Sequence, residues 1–429
     1  MKEGLEDLTK LVRVVMSYRP DAKGRSAKRA TADFAFYEFF AGGGFARAGL
    51  GPRWKCLFAN DFDLKKSATY IDNWGDGELL TKDVAGVTVD DLPGVAGLAW
   101  ASFPCQDLSL AGMGAGLKGD RSGTFWPFWR LMAQLRVEKR APQVIVLENV
   151  CGTLTSHGGK DFTAIADALS AGGYRFGAVV VDAVHFVPQS RPRLFIIAID
   201  DAASIPAGLT EDEGSLLWHP RALKAAYMRL SAEAKAKWLW WKMPAPPRRN
   251  TRFAALIEEN PTSVQWHTEA ETAKLLAMMS AVNLEKVAEA KKSGQRLVGG
   301  VYKRTRFDDA DEKVQRAEIR FDDIAGCLRT STGGSSRQSI VVVQGDQIRS
   351  RLLSSREAAR LMGLPDDYRL PKSYNEAYHL AGDGVVVPVV RYLAEQLLEP
   401  ILVSNHAKIA AIQAARHPMR ETAGAERAN

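Results

Sequence analysis

Between Ala35 and Asp200, six short apolar runs rich in β-branched and aromatic residues recur at a regular beat: 35–40, 55–60, 97–103, 143–150, 176–184 and 193–199. Helix-like stretches such as Thr124 to Val137 and Asp161 to Ala171 lie between them. Continuously apolar runs of this length suit strands buried on both faces, and alternation with helical segments is the pattern of parallel strands joined by crossover helices. The pattern predicts an α/β, doubly wound, Rossmann-like domain.

The beat stops near residue 203. From about Ser204 to Gln347 the chain reads as helical, charged segments with tryptophan-rich patches and a proline-rich break at Pro244, Pro246 and Pro247. This change of character, in a chain of 429 residues, predicts a second and smaller domain. Ser354 to Leu364 and Val389 to Leu398 read as amphipathic helices, the last returning to pack on the first domain. The expected division is a polar, basic extension over 1–33, an α/β domain over 34–203 plus 370–402, the smaller domain over 204–369, and a polar tail over 403–429. Trp238, Trp240 and Trp241, although beside Lys242, Arg248 and Arg249, are expected mostly in domain core.

Lys and Arg outnumber Asp and Glu by 57 to 50, a formal +7 that suits a polyanionic partner without requiring one. No apolar run is long enough for a bilayer and no signal-peptide pattern opens the chain, so a soluble, intracellular protein is expected. Cys56, Cys105, Cys151 and Cys327 are scattered, with neither a metal-knuckle spacing nor disulfide density, so no metal is expected and a thiol is chemically available.

The candidate chemistry falls at the ends of the expected strands, the edge where α/β sheets bind ligands. The first run ends in Phe40-Ala41-Gly42-Gly43-Gly44-Phe45, a turn that lets backbone approach a nucleotide-like cofactor. The second ends in Asn60-Asp61-Phe62-Asp63, with a carboxylate placed for ribose hydroxyls and an aromatic ring for adenine. Phe103-Pro104-Cys105-Gln106-Asp107-Leu108-Ser109 puts a cysteine in a tight turn directly after a strand. A lone cysteine is more often inert core, but its polar neighbours argue for a cleft. Glu148-Asn149 closes another strand, and Gln189, Arg191 and Arg193 alternate along an extended segment, sharing one side.

Together these motifs, matched in order from residue 36 to about 398, make the chain resemble DNA cytosine-5 methyltransferases of the bacterial type. The resemblance implies S-adenosylmethionine as cofactor, held by Phe40, Ala41, Gly42, Gly44, Asn60, Asp61, Phe62, Asp83, Val84, Pro104, Phe125, Asp383, Gly384 and Val385. It implies Cys105 as nucleophile, with Glu148, Arg191 and Arg193 completing the catalytic set. Positive charge such as Arg191 would favour the Cys105 thiolate. Double-stranded DNA is the implied partner, met by Gln106, Ser109, Gln189, Arg329, Thr330, Gly333, Gly334 and Arg337. The region from Ser204 to about Lys313 corresponds to the family's target recognition domain, and specificity is expected between Ser204 and Gln338. A monomer in the bacterial cytoplasm, nucleoid-associated and with a cognate restriction endonuclease, completes the expectation.

Three positions depart from the family pattern. Glu38 replaces an aspartate, Phe45 replaces the second of a glycine pair, and Asp383 replaces an asparagine beside the cofactor's methionine moiety. An RNA methyltransferase on the same scaffold is disfavoured because that subfamily's Cys-Phe-Thr tripeptide is absent. A catalytically silent DNA-binding protein would have no use for the Cys105, Glu148 and Arg191 set. A nucleotide-dependent oxidoreductase would not need the Pro-Cys-Gln turn.

Overall fold

All six apolar runs become strands of a single sheet. The computed structural model describes residues 33–104, 124–307, 311–329 and 337–406. The strands are β1 (Phe34–Phe39), β2 (Trp54–Asp61), β3 (Leu79–Thr81), β4 (Leu98–Ala101), β5 (Val144–Val150), β6 (Tyr174–Asp182) and β7 (Pro192–Asp200), in the order β3-β2-β1-β4-β5-β7-β6. Order reverses between β1 and β4, so a crevice is expected beyond their carboxyl ends. One strand departs from the expected parallel sheet: β7 runs antiparallel to both β5 and β6. The cause is chain length. Only residues 183–191 link β6 to β7, too few for a crossover, which needs a dozen or more.

Alternation along the strands splits the core into two layers. Phe36, Trp100, Val146, Phe195 and Ile197 face one side, with Phe45, Leu50, Val390 and Leu393 packed over them. Tyr37, Phe39, Ile145, Leu147 and Ile196 face the other, under Phe128, Leu131, Phe162 and Leu169. The covering helices are α1 (Phe45–Leu50) and α2 (Leu64–Trp74) after the first strands, then α3 (Phe125–Val137) and α4 (Lys160–Ala171). Asp63 caps α2, its Oδ1 accepting from the backbone N–H groups of Lys65 and Lys66 at 2.8 and 3.2 Å. The expected return of the C-terminal helix is present. It runs over Val387–Leu393 and a π-turn at Ala394–Leu398, and Arg391 Nε donates to Gly49 O at 2.8 Å. Helix continues to His406, past the expected boundary at Leu402, because Asn405 is buried and exchanges hydrogen bonds with the backbone of Ser204.

The region read as helical and charged contains a four-stranded antiparallel sheet, which corrects that expectation. Its strands are β10 (Arg296–Phe307), β11 (Lys313–Arg320), β12 (Ser339–Gln344) and β13 (Gln347–Leu352), in the order β11-β10-β12-β13; a separate pair, β8 (Thr210–Glu211) and β9 (Trp240–Trp241), packs on the main sheet, where Leu239 N donates to Phe176 O of β6 at 2.7 Å. Only one end of β10 is apolar, and Lys303, Arg304 and Arg306 hide its strand character. Trp238 and Trp241 are buried as expected. Among the described residues no helix is long and apolar enough to cross a membrane.

Candidate active site

The chain leaves β1 through Phe40, whose φ of 57° is left-handed although it is not glycine. Gly42 and Gly44 follow with φ of 55° and 77°. A Cβ on Gly42 would meet nothing within 4 Å, so open space lies in front of this turn; at Gly44 one would collide with the Trp74 ring. Asp61, at the end of β2, ties the turn down: Oδ2 accepts from Gly42 N at 2.8 Å and Oδ1 from Asp63 N at 2.9 Å. Each carboxylate oxygen keeps a lone pair for another donor. Phe62 beside it is 70% exposed. An open glycine turn, a carboxylate with spare acceptor capacity and a bare aromatic face fit a nucleoside such as that of S-adenosylmethionine.

Not every expected cofactor contact faces that space. Asn60 is buried, and its amide donates to Leu80 O and Lys82 O, binding β2 to the end of β3. Phe125 is 1% exposed and packs among Phe103, Trp126 and Trp129, which makes it core. Asp83 accepts from Ala85 N at 2.8 Å and fixes the turn that buries Val84. Beneath the glycines, Glu38 is fully buried. Burial pushes its carboxyl up to about 8 against the opposing pull of Arg47.

Asp383 ends α11, the helix Tyr374–Asp383, with Gly384 and the buried Val385 following. (The helices between α4 and α11 are α5, Arg221–Met228; α6, Ala232–Ala236; α7, Phe253–Leu256; α8, Glu269–Ala277; α9, Ala281–Lys292; and α10, Ser355–Leu361.) Asp383 Oδ2 meets Lys66 Nζ at 2.7 Å, a contact that sequence reading did not find.

The second group forms where β5 meets β7. Glu148 is 6% exposed and lies 3.4 Å from Arg193 Nε. Next to it Asn149 Nδ2 donates to Phe103 O at 3.0 Å, fixing the chain just before the exposed Pro104. Cys105, Gln106, Ser109, Thr330, Gly333 and Gly334 lie outside the described residues.

Arg191 has a different place from the one expected. It is 1% exposed, and its guanidinium donates to Leu328 O (2.8 Å), Gly382 O (2.7 Å) and Gly384 O (2.8 Å). It joins three chain segments, and burial pulls its pKa down to about 10. Arg193 is the arginine that faces Glu148. Gln189, expected at DNA, is fully buried; it donates to Leu361 O and accepts from Leu328 N, locking α10 to the segment before Arg329.

A cleft of about 870 Å³ opens beside this group, lined by Ser190, Pro192, Cys327 and Tyr378, by the cations Lys286, Lys303, Arg304, Arg306, Arg320 and Arg329, and by Glu318, which pairs with Arg304 and Arg306. Arg329 is exposed there, whereas Arg337 lies over the Tyr374 ring at 5.5 Å with its Nε buried and unpartnered. Although burial raises the Cys327 thiol, Arg191 and Arg193 outweigh it and leave its pKa lowered. The strand cations went unnoticed in the sequence; the signal was the polar run Lys303-Arg304-Thr305-Arg306 following apolar Leu297 to Val301.

A family model described as C-5 cytosine-specific DNA methylase matches residues 34–399 of this chain. The chain belongs to that family. As a DNA cytosine-5 methyltransferase it is similar to Type II methyltransferase M.BsuFI of Bacillus subtilis, 25% identical over 372 residues, covering 86% of this chain and 74% of that protein. M.NlaX of Neisseria lactamica is 24% identical over 380 residues, 88% of this chain and 100% of that one. Among solved structures, DNMT2 of Spodoptera frugiperda aligns with a TM-score of 0.52 at 16% identity, over 84% of this chain and 98% of that one. The Entamoeba histolytica methyltransferase EhMeth gives 0.52 at 14%, over 85% and 97%. These two bear on fold alone. Family and fold together imply S-adenosylmethionine as the methyl donor of this cytosine-5 methyltransferase.

Proposed function

We propose that this methyltransferase acts on carbon 5 of a cytosine flipped out of a specific site in duplex DNA, through a covalent adduct between Cys105 and carbon 6. The observation that carries the reading is the Arg193–Glu148 pair, nearly out of solvent at the carboxyl edge of the sheet, beside the point where Asn149 anchors the entry to the Pro104-Cys105 turn. Carbon 5 of cytosine is a poor nucleophile. Attack by the Cys105 thiolate on carbon 6 makes the ring an enamine and carbon 5 electron-rich. Glu148 donates at ring nitrogen 3 and accepts from the exocyclic amine, so charge pushed into the ring is met by a proton. Arg193 holds that carboxyl group in place and offers donors to the ring oxygen. When bound, S-adenosylmethionine would supply an electrophilic methyl on its sulfonium, and the glycine turn at Gly42, together with Asp61 and Phe62, would hold it. Carbon 5 takes up the methyl, and loss of the carbon 5 proton to a base or water then expels the Cys105 thiolate while the nitrogen 3 proton returns to Glu148.

A base inside the stack cannot reach such a site, and flipping it costs a few kcal/mol. Phosphate contacts along the cationic cleft offset that cost. We assign residues 204–369 to target recognition and 34–203 with 370–402 to chemistry. Relatives named as Type II methyltransferases support a modification role with a cognate endonuclease. Bisulfite sequencing of DNA from cells expressing the protein tests the reading: one fully protected sequence motif is expected, and no protected cytosine would overturn it.

A further inference from the structure

Lys66 stands in the first turn of α2 and reaches Asp383 at the end of α11, 317 residues away, at 2.7 Å. The pair is half-sheltered: the Lys66 side chain is 25% exposed and that of Asp383 45%. Lys66 also feels the carboxylates of Asp61 and Asp63, so its ammonium belongs to the cluster that borders the glycine turn.

Asp383 is tied to both halves of the site. On one side it is held by Lys66, next to Asp61 and the exposed Phe62. On the other, its flanking carbonyls Gly382 O and Gly384 O are held by Arg191, two residues from the Arg193 that pairs with Glu148. For a cofactor with its nucleoside at Asp61 and Phe62 and its reactive end toward Glu148, this carboxylate would be one of the charges bordering the site. Methyl transfer removes one positive charge from the cofactor, since the sulfonium becomes a neutral thioether.

We propose that Asp383 and Lys66 form a charge-selective element of the cofactor site: the carboxylate favours the cationic methyl donor over its neutral demethylated product, and Lys66 tempers that preference by partly neutralising the carboxylate. The proposal rests on S-adenosylmethionine being the cofactor. An asparagine at 383 would lack this preference, because an amide has no net charge to distinguish the two ligands. The element is part-exposed, so its effect is screened and falls as salt rises.

Isothermal titration of the full chain with three ligands tests it: S-adenosylmethionine, S-adenosylhomocysteine, and sinefungin, which carries an ammonium where the donor has its methyl sulfonium. For Asp383→Asn, both cationic ligands are expected to weaken about fivefold to tenfold relative to S-adenosylhomocysteine at low salt, the scale of one screened charge contact. For Lys66→Met, the preference for the cations is expected to increase, and both differences should shrink at high salt. If Asp383→Asn moves all three ligands equally, or none, and Lys66→Met leaves their ratios unchanged, charge selection is overturned. Wild-type protein that binds none of the three overturns the cofactor reading itself.

Discussion

Arg193 reaches Glu148 diagonally across two antiparallel strands. The residue directly opposite Glu148 on β7 is Phe195, and Arg193, opposite Val150, lies two positions along on the same face, its Nε 3.4 Å from Glu148 Oε1. An antiparallel β7 therefore sets the spacing of these two groups. Replacing Glu148 by Gln keeps the shape and removes the ability to exchange a proton. Single-turnover methylation should slow by about 10²–10⁴, the usual contribution of a positioned acid or base, with cofactor affinity unchanged. A rate within a few-fold of wild type would remove Glu148 from the chemistry.

Arg191 is expected to act through stability. Its removal in Arg191→Ala orphans the carbonyls of Leu328, Gly382 and Gly384, each worth about 1–3 kcal/mol when left unpaired in the interior. Urea unfolding should show a loss of several kcal/mol, and a fully stable but inactive variant would contradict this placement.

Asp61→Ala should weaken S-adenosylmethionine by about 1.5–3 kcal/mol, the range for hydrogen bonds to a charged group, with DNA affinity little changed. Calorimetry reads the first and a gel-shift titration the second. Part of the loss comes through the turn itself, since Asp61 also holds Gly42 N.

Glu38 makes stability depend on pH. Its carboxyl titrates at 4.5 when unfolded and near 8 when folded, because burial disfavours the charge. The folded state holds the proton more tightly, so this contribution is complete below about 4.5 and is lost as pH rises through about 8. Within that window the slope is up to ~1.4 kcal/mol per pH unit. Unfolding midpoints of wild type and Glu38→Gln should therefore diverge on going from mildly acidic to alkaline buffer, the variant gaining. Parallel curves would mean that Glu38 is charged at neutral pH.

Arg329 and Arg337 should now behave differently. Arg329 is exposed in the cationic cleft, and Arg337 is drawn onto Tyr374. On randomised duplex DNA, Arg329→Ala is expected to relax the methylated motif at one position, by about 1–3 kcal/mol of discrimination. Arg337→Ala should leave the motif intact. An unchanged motif for Arg329→Ala, with a flatter salt dependence, would make it a phosphate contact instead.

The sheet was legible because strands buried on both faces are apolar along most of their length, and short runs such as Val144 to Leu147 repeat at a regular beat between helical segments. The antiparallel turn of β7 was also within reach, in the nine residues before Pro192. The second sheet was harder to see, since β10 keeps only one end apolar and gives its other residues to cations. Motif spacing placed Asp61, Glu148 and Arg193 at one sheet edge. It could not tell which polar side chains there serve the backbone: Asn60, Gln189 and Arg191 carry the same donors as a binding residue, and only burial separates them.

Covalent trapping bears most directly on the proposed chemistry. Duplex DNA of mixed sequence, with 5-fluorocytosine in place of cytosine, is incubated with the enzyme and S-adenosylmethionine, then denatured and resolved by size. Fluorine cannot leave as a proton does, so wild-type protein should remain joined to the DNA, only when cofactor is present, and Cys105→Ser should give no such species. The same cofactor-dependent complex from Cys105→Ser, or turnover by that variant close to wild type, would contradict a covalent role for Cys105.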